Sequence, residues 1–253
     1  MRSGDLMRSD DPDAADPAAP DASRPVRALV VADGEPIDAA ATEAAWPGWA
    51  DGIALLVAAD GGARLAERLV RSLGDGRRAI DLIVGDGDSL GEEQLSRFEA
   101  AGVPVERSPA EKDESDTELA VRAALARGAT DVVIVGAVGG RLDHTVANLS
   151  LLAAPALAGR SCAILDSTTR VTLLSGPAER DFVGRAGDIV SLLPLGDGVT
   201  GVKTDGLAYP LRDERLPFGP ARGLSNVRTT EVATVSVRTG RLLVVETPAT
   251  LPA

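Results

Sequence analysis

Apolar runs that stop at an aspartate beside a glycine or a basic residue recur along the first half of this chain. They constrain the fold more than any other feature. The central one is Asp81-Leu82-Ile83-Val84-Gly85-Asp86-Gly87-Asp88-Ser89, which ends in two carboxylates one glycine apart. Short apolar runs bounded by Gly and Asp read as buried strands of an α/β sheet. Ligands of open α/β sheets sit beyond the carboxyl ends of such strands, which puts Asp86 and Asp88 at the active edge. The pattern returns in Ala58-Ala59-Asp60-Gly61-Gly62-Ala63 after residues 53–57, and in Gly139-Gly140-Arg141-Leu142-Asp143-His144 after residues 132–135. It returns again in Glu111-Lys112-Asp113-Glu114-Ser115-Asp116, which opens a helical stretch.

Each of these stretches carries two readings. Neighbouring carboxylates repel and are costly together unless a cation neutralises them, and hard oxygen ligands suit Mg²⁺ that also carries substrate phosphates. Asp and Gly are equally the residues of plain turns. Gly61 and Gly62 would let backbone approach an anion at a helix N-terminus, while Asp60 would serve as well as an N-cap. Lys112, flanked by four acids, fits a phosphate contact with Asp116 on a metal or a substrate hydroxyl, or else a solvated charged face capped by Ser115 or Asp113. Arg141 offers a fork of donors that matches phosphate oxygens. Asp143 reads as the N-cap of the next helix. His144, the single histidine, reads as a hydrogen-bonding residue at that helix start, since no GxSxG or HExxH pattern accompanies it.

Periodicity supplies the elements between. Strands are expected at 26–31, 53–58, 82–84 and 132–136, with an edge strand at 103–105 because Pro104 cannot donate to a ladder. Helices are expected at 63–72, with Leu65, Leu69 and Leu73 on one face, and after Ser89 as a cap, with Leu95 and Phe98. Two more are expected at 117–127, with Leu119, Ala123 and Ala126 inward, and at 145–154, with Val146, Leu149 and Leu152 inward. After residues 153–160 the texture changes. Short apolar runs at 163–165, 171–174, 189–193, 199–202, 232–237 and 242–245 alternate with glycine-bearing gaps, the pattern of a sandwich or barrel. The expected fold is therefore an α/β N-terminal domain with a mainly parallel sheet, followed by an all-β sandwich domain, as two domains and not one continuous sheet. The boundaries are 25–155 and 160–250, with residues 1–24 too polar and Asp/Ala/Pro-rich to offset the entropy of ordering.

Composition narrows the function. A net charge of −12 argues against non-specific nucleic-acid binding, which needs phosphate-neutralising cations, but not against a phosphorylated ligand that brings a metal. Aromatics are 2% of the chain, so Tyr209, the only tyrosine, stands out in the β half as a stacking or core residue. Ser225-Asn226 would hydrogen-bond a heterocycle or form a turn. Cys162, the one cysteine, reads as a buried structural thiol. With no apolar run of bilayer-spanning length and no apolar N-terminal segment of the signal-peptide kind, a soluble cytoplasmic protein is expected.

In order and content, six blocks resemble the thiamine pyrophosphokinase (thiamine diphosphokinase) family. They are Ala59 to Ala63, Gly85 to Ser89, Lys112 to Asp116, Gly139 to His144, Tyr209-Pro210-Leu211 and Gly223-Leu224-Ser225-Asn226. The resemblance implies transfer of diphosphate from ATP to the hydroxyl of thiamine, with Mg²⁺ as cofactor, and a homodimer with active sites at the subunit interface. It implies that Asp60, Asp86, Asp88 and Asp116 form the metal and catalytic cluster. Gly61, Gly62, Lys112, Ser115 and Arg141 would meet ATP, and Asp143, Tyr209, Ser225 and Asn226 would lie on the substrate side. Gly87 departs from a larger residue usual between the two acids, and Ser115 from threonine. Two rivals remain at this stage: a diphosphokinase for another hydroxymethyl heterocycle such as a pterin, and a non-catalytic thiamine or nucleotide sensor.

Overall fold

Six parallel strands form the first half of a computed structural model that describes residues 25–73 and 79–250. The expected tail at 1–24 lies outside the described residues. The strands are β1 (Val26–Val31), β2 (Ile53–Ala59), β3 (Leu82–Gly85), β4 (Val105–Arg107), β5 (Ala129–Val135) and β6 (Ser161–Leu165). Between them run α1 (Ala39–Ala45), α2 (Ala63–Ser72), α3 (Glu92–Ala100), α4 (Asp116–Ala126) and α5 (Leu142–Leu151). The strand order is β4-β3-β2-β1-β5-β6. The chain thus moves outward from β1 to β4, then returns over the sheet through α4 to β5 on the other side of β1. That reversal makes the β1/β5 junction the topological switch point.

The strands read as near-continuous apolar runs because the sheet is covered on both faces. Leu29 and Val31 pack with Trp46, Leu65, Leu69, Leu95 and Phe98 of the α1–α3 side, while Ala28 and Val30 pack with Ala120, Val121, Ala124 and Leu151 of the α4–α5 side. The edge position expected for the Pro104 strand holds, shifted to β4. Cys162 is buried, and burial pushes its thiol up to about 12.

Several local expectations are corrected. Helix α1 had no sequence expectation; Asp38 caps it by accepting from the Ala41 amide at 2.8 Å. The cap of α3 is Gly91, not Ser89. Helix α4 turns Thr117, Ala120, Val121 and Ala124 inward, leaving Ala126 exposed. Helix α5 starts at Leu142 with Arg141 in the cap position, so Asp143 lies in the first turn and does not cap it. Its buried face also differs from the one expected: Val146 is exposed, and Asn148 is buried, donating to the Ala137 carbonyl at 2.9 Å.

The second half is antiparallel: β7 (Arg170–Ser175), β8 (Ala178–Val183), β9 (Ile189–Asp205), β10 (Arg212–Leu216), β11 (Asn226–Val227), β12 (Val232–Val237) and β13 (Thr239–Thr247). Residues 189–193 and 199–202, expected as two strands, belong to one long β9. Its bend falls at Gly196 and Gly198, both at positive φ, and it pairs with β13 in its first part and with β10 and β12 in its second. The polar strands β8 and β10 escaped the apolar-run reading.

The expectation of two separate sheets also needs correcting. The ladder continues from β6 through β7 to β13, β9, β12 and β8. Strand β13 explains this by period-two alternation. Leu242 and Val244 enter the sandwich core with Phe182, Leu192 and Val235, while Leu243 and Val245 pack into the α/β core.

Glu246, also on β13, is 2% exposed and lies between two guanidiniums. Arg170 donates to both of its oxygens at 2.7 and 2.8 Å, and fully buried Arg228 donates to Oε1 at 2.7 Å. Arg170 in turn stacks over Trp46 at 4.8 Å, and the Trp46 indole donates to the Asp166 carbonyl at 2.6 Å. Removing the carboxylate strands a buried cation. Glu246→Ala is therefore expected to cost about 3–5 kcal/mol in denaturant unfolding, more than any exposed pair of this protein.

Candidate active site

The acidic turns after β2 and β3 and the start of α4 meet at the carboxyl edge of the sheet. Asp60 leaves β2 at φ +39 and is 2% exposed. Its carboxylate accepts from the backbone amides of Ser89 at 3.0 Å and Leu90 at 3.2 Å, so the first acidic turn is bonded to the second. Burial lifts the Asp60 carboxyl to about 6; the two amides oppose the rise, and Asp88 and Asp116 add to it. Asp86 is held below the usual carboxylate range, first by the Asp88 amide that it accepts at 3.1 Å and then by Lys112, against burial.

Lys112 reaches into the group. Its Nζ donates to Asp116 at 2.6 Å, to Ser108 Oγ at 2.9 Å and to Asp86 at 3.2 Å. Burial works against this ammonium, but the bonds to Asp116 and Asp86 outweigh it and hold the proton more tightly than usual. Carboxylate oxygens of Asp60, Asp86 and Asp116 lie within 4.8 Å of one another. Three hard oxygen donors so close, with one of their carboxyls raised by burial and further by neighbouring carboxylates, fit a divalent cation such as Mg²⁺. Asp88 is exposed beside them and is outside that trio.

Ser115 caps α4, accepting from the Glu118 amide at 3.2 Å, and so sets Asp116 at the first helical position. Gly87 stands at φ +82, a left-handed conformation that suits glycine, with Leu95 3.1 Å from where a Cβ would project. Arg141 and Asp143 form a bidentate pair at 3.1 and 2.5 Å on the exposed start of α5, and among the described residues no hydrogen bond or ion pair joins them to the trio. His144 is exposed there and donates its amide to Asp143 at 3.0 Å.

In the β half, Asn226 is buried. Its Oδ1 accepts from the amides of Tyr209 and Val227, and its Nδ2 donates to the Tyr209 carbonyl at 2.7 Å. The amide is thus spent on fixing the Tyr209 backbone, and the Tyr209 ring is left 64% exposed. Ser225 sits at φ +55 with an exposed side chain, its amide bonded to Ser191 Oγ. Among the described residues, no hydrogen bond or ion pair joins this group to the acidic cluster.

Asp33, at the end of β1, was missed. Burial raises its carboxyl, Arg64 pulls it down and Asp88 pushes it up again. The signal was present as Asp33-Gly34 directly after a strand, the same strand-then-Asp-Gly sign as at the other junctions. The turn is anchored at the switch point: the Gly34 amide donates to Gly136 at 2.7 Å and that of Glu35 to Val138 at 3.2 Å.

Gly61 and Gly62 are explained by close approach. A Cβ on Gly61 would lie 2.1 Å from Asp33 Oδ2, and one on Gly62 would lie 2.2 Å from the Val31 carbonyl oxygen. A side chain can swing aside, whereas a central strand cannot. Gly62→Ala should therefore lose about 1–3 kcal/mol in thermal or chemical unfolding, and Gly61→Ala clearly less.

Comparison with known proteins places these features. Residues 49–164 match the family model "Thiamin pyrophosphokinase, catalytic domain", and residues 179–242 match "Thiamin pyrophosphokinase, vitamin B1 binding domain". The chain is 27% identical over 162 residues to the thiamine pyrophosphokinase of Bacillus subtilis, covering 64% of this chain and 75% of that protein. The solved structure of a thiamin pyrophosphokinase family protein from Enterococcus faecalis is 27% identical, with a TM-score of 0.70 over 87% of this chain and 98% of that one. The Bacillus subtilis enzyme's structure superposes with a TM-score of 0.73 at 23% identity, over 88% and 99%.

Proposed function

Because the chain belongs to the thiamin pyrophosphokinase family, we propose that it transfers diphosphate from ATP to the hydroxyl of thiamine, giving thiamine diphosphate and AMP. The observation that carries this reading is the convergence of Asp60, Asp86 and Asp116 around Lys112, inside the region that matches the catalytic model. In the attack, the thiamine oxygen forms a bond to the β-phosphorus while the bond from that phosphorus to the bridging oxygen breaks, and AMP carries that oxygen away. The hydroxyl proton passes to a carboxylate, for which we propose Asp116, with Asp88 the alternative.

Asp60, Asp86 and Asp116 would hold Mg²⁺, with Asp88 beside them. The ion would supply positive charge to the phosphate oxygens as charge shifts to the leaving group. Lys112 is a cation already seated among the acids, placed to pass from Asp86 and Asp116 to a phosphate. Ser115 orients Asp116 by capping its helix. Gly61 and Gly62 keep the β2–α2 turn close-packed, and Arg141 and Asp143 are proposed to open their mutual pair toward phosphate and substrate respectively.

We further propose that residues 25–155 form the ATP- and Mg²⁺-binding domain and residues 160–250 the thiamine-binding domain, where Tyr209 and Ser225 are exposed and Asn226 fixes the Tyr209 backbone. A homodimer with shared active sites is part of the same proposal. Exposed Leu142 and Val146 on α5, and Tyr209 and Leu224 in the β half, support it as apolar surface in want of a partner. The reaction is proposed to run in the cytoplasm, where ATP is the common phosphoryl donor. The pterin and sensor alternatives gain no support: the β half matches a vitamin B1-binding model, and no carboxylate of the cluster is missing.

Product analysis with ATP, Mg²⁺ and thiamine is expected to give thiamine diphosphate and AMP in equal amounts, and none after chelation of Mg²⁺. ADP with thiamine monophosphate would refute diphosphate transfer. Asp116→Asn is expected to lower turnover by at least about 100-fold with the unfolding midpoint little changed; near-normal rates would remove Asp116 from the proton-accepting role.

A further inference from the structure

We propose that Arg64 is a positioning residue that sets the spacing of the acidic cluster by clamping the turn that carries Asp86 and Asp88. This rests on the reading of Asp60, Asp86 and Asp116 as the Mg²⁺-binding group.

The peptide segment Ser89-Leu90 is held from both of its polar sides. Its two N–H groups donate to Asp60 at 3.0 and 3.2 Å. Its two carbonyls accept from one Arg64 nitrogen, Nη2, at 2.6 and 3.1 Å. The Arg64 Nε donates to Gln94 Oε1 on α3 at 3.0 Å, which fixes the plane of the fork. Asp60 and Arg64 stand one helical turn apart where β2 runs into α2, so a single rigid element grips both the donors and the acceptors of the second acidic turn. The Asp60 carboxylate is also a proposed metal ligand, so it serves two partners at once. Arg64 supplies a grip that does not depend on the Asp60 carboxylate. A guanidinium suits the task because its donors lie in a fixed plane and its charge does not titrate.

Supporting residues behind metal ligands are commonly worth 10–100-fold in affinity or activity. Arg64→Ala is expected to weaken Mg²⁺ in that range, read two ways. One is the Mg²⁺ concentration needed for half-maximal turnover. The other is titration of the substrate-free protein with Mg²⁺ or Mn²⁺ by calorimetry. The KM for thiamine should stay within about twofold, and the amides of Ser89 and Leu90 should exchange with solvent faster. Arg64→Lys should recover part of the loss.

Arg97→Ala is the control: Arg97 joins α3 to Glu67 of α2 through two bonds, at 3.0 and 3.1 Å, without touching the acidic turn. It should leave metal affinity unchanged. If Arg64→Ala does not fold, Gln94→Ala tests the same fork, with a smaller effect in the same direction.

Unchanged metal affinity and unchanged amide exchange in Arg64→Ala would overturn the proposal, as would an equal metal defect in Arg97→Ala. If the wild-type protein makes no thiamine diphosphate, the functional reading falls. The calorimetry and exchange arms still decide the clamp.

Discussion

Bringing carboxylates together at one edge of a sheet is the constraint on which the rest of this structure depends. Like charges at such range raise one another's cost of ionisation. The protein meets this in three ways. Asp60 accepts from two backbone amides, Asp86 is stabilised by the Asp88 amide, and Lys112 stands between Asp86 and Asp116 as a built-in counter-charge. The arrangement is kept at the expense of local strain, visible in the positive φ of Asp60. Strain and crowded charge at the same place are what a site primed to accept a cation and phosphates would show.

The supporting frame is organised around this edge. Strand β1 is central because the chain reverses there, and its turn is tied to the turn after β5. The glycines of the β2–α2 turn let that turn press against β1 and Asp33. Farther away, β13 carries apolar residues on both faces and places Glu246 between Arg170 and Arg228, so the antiparallel half is joined to the parallel half by both packing and charge. A frame continuous across the two halves holds any thiamine-side residues at a fixed place relative to the acidic edge of the same chain.

Much of this was legible in the residues. Strands β1, β2 and β3, helix α2 and strand β12 lie where periodicity puts them, because the apolar pattern of each is strong. The misses have physical causes. Strands β8 and β10 are polar outside one alternate residue and form the edge of the ladder, so no apolar run marks them. Helix α5 exposes Leu142 and Val146, and a reading that assumes apolar means inward places its face wrongly. Asp33 carries the same Asp-Gly sign as the other junctions, but that sign is also the one a plain turn carries, so in sequence the two are indistinguishable there.

By itself the sequence determined the fold class and the family and marked the carboxylates at the strand ends as candidates, since these follow from local pattern and from the order of short blocks along the chain. Only the tertiary structure decided which carboxylates form a trio and which stands beside it, that Lys112 sits among them, and that Asn226 is spent on the Tyr209 backbone. It alone also revealed that Arg64 and Asp60 grip the same two peptides. Such facts depend on distances between residues up to 56 positions apart in the chain, the separation of Asp60 and Asp116. Those distances are set by how strands stack and where turns close, which no local pattern encodes.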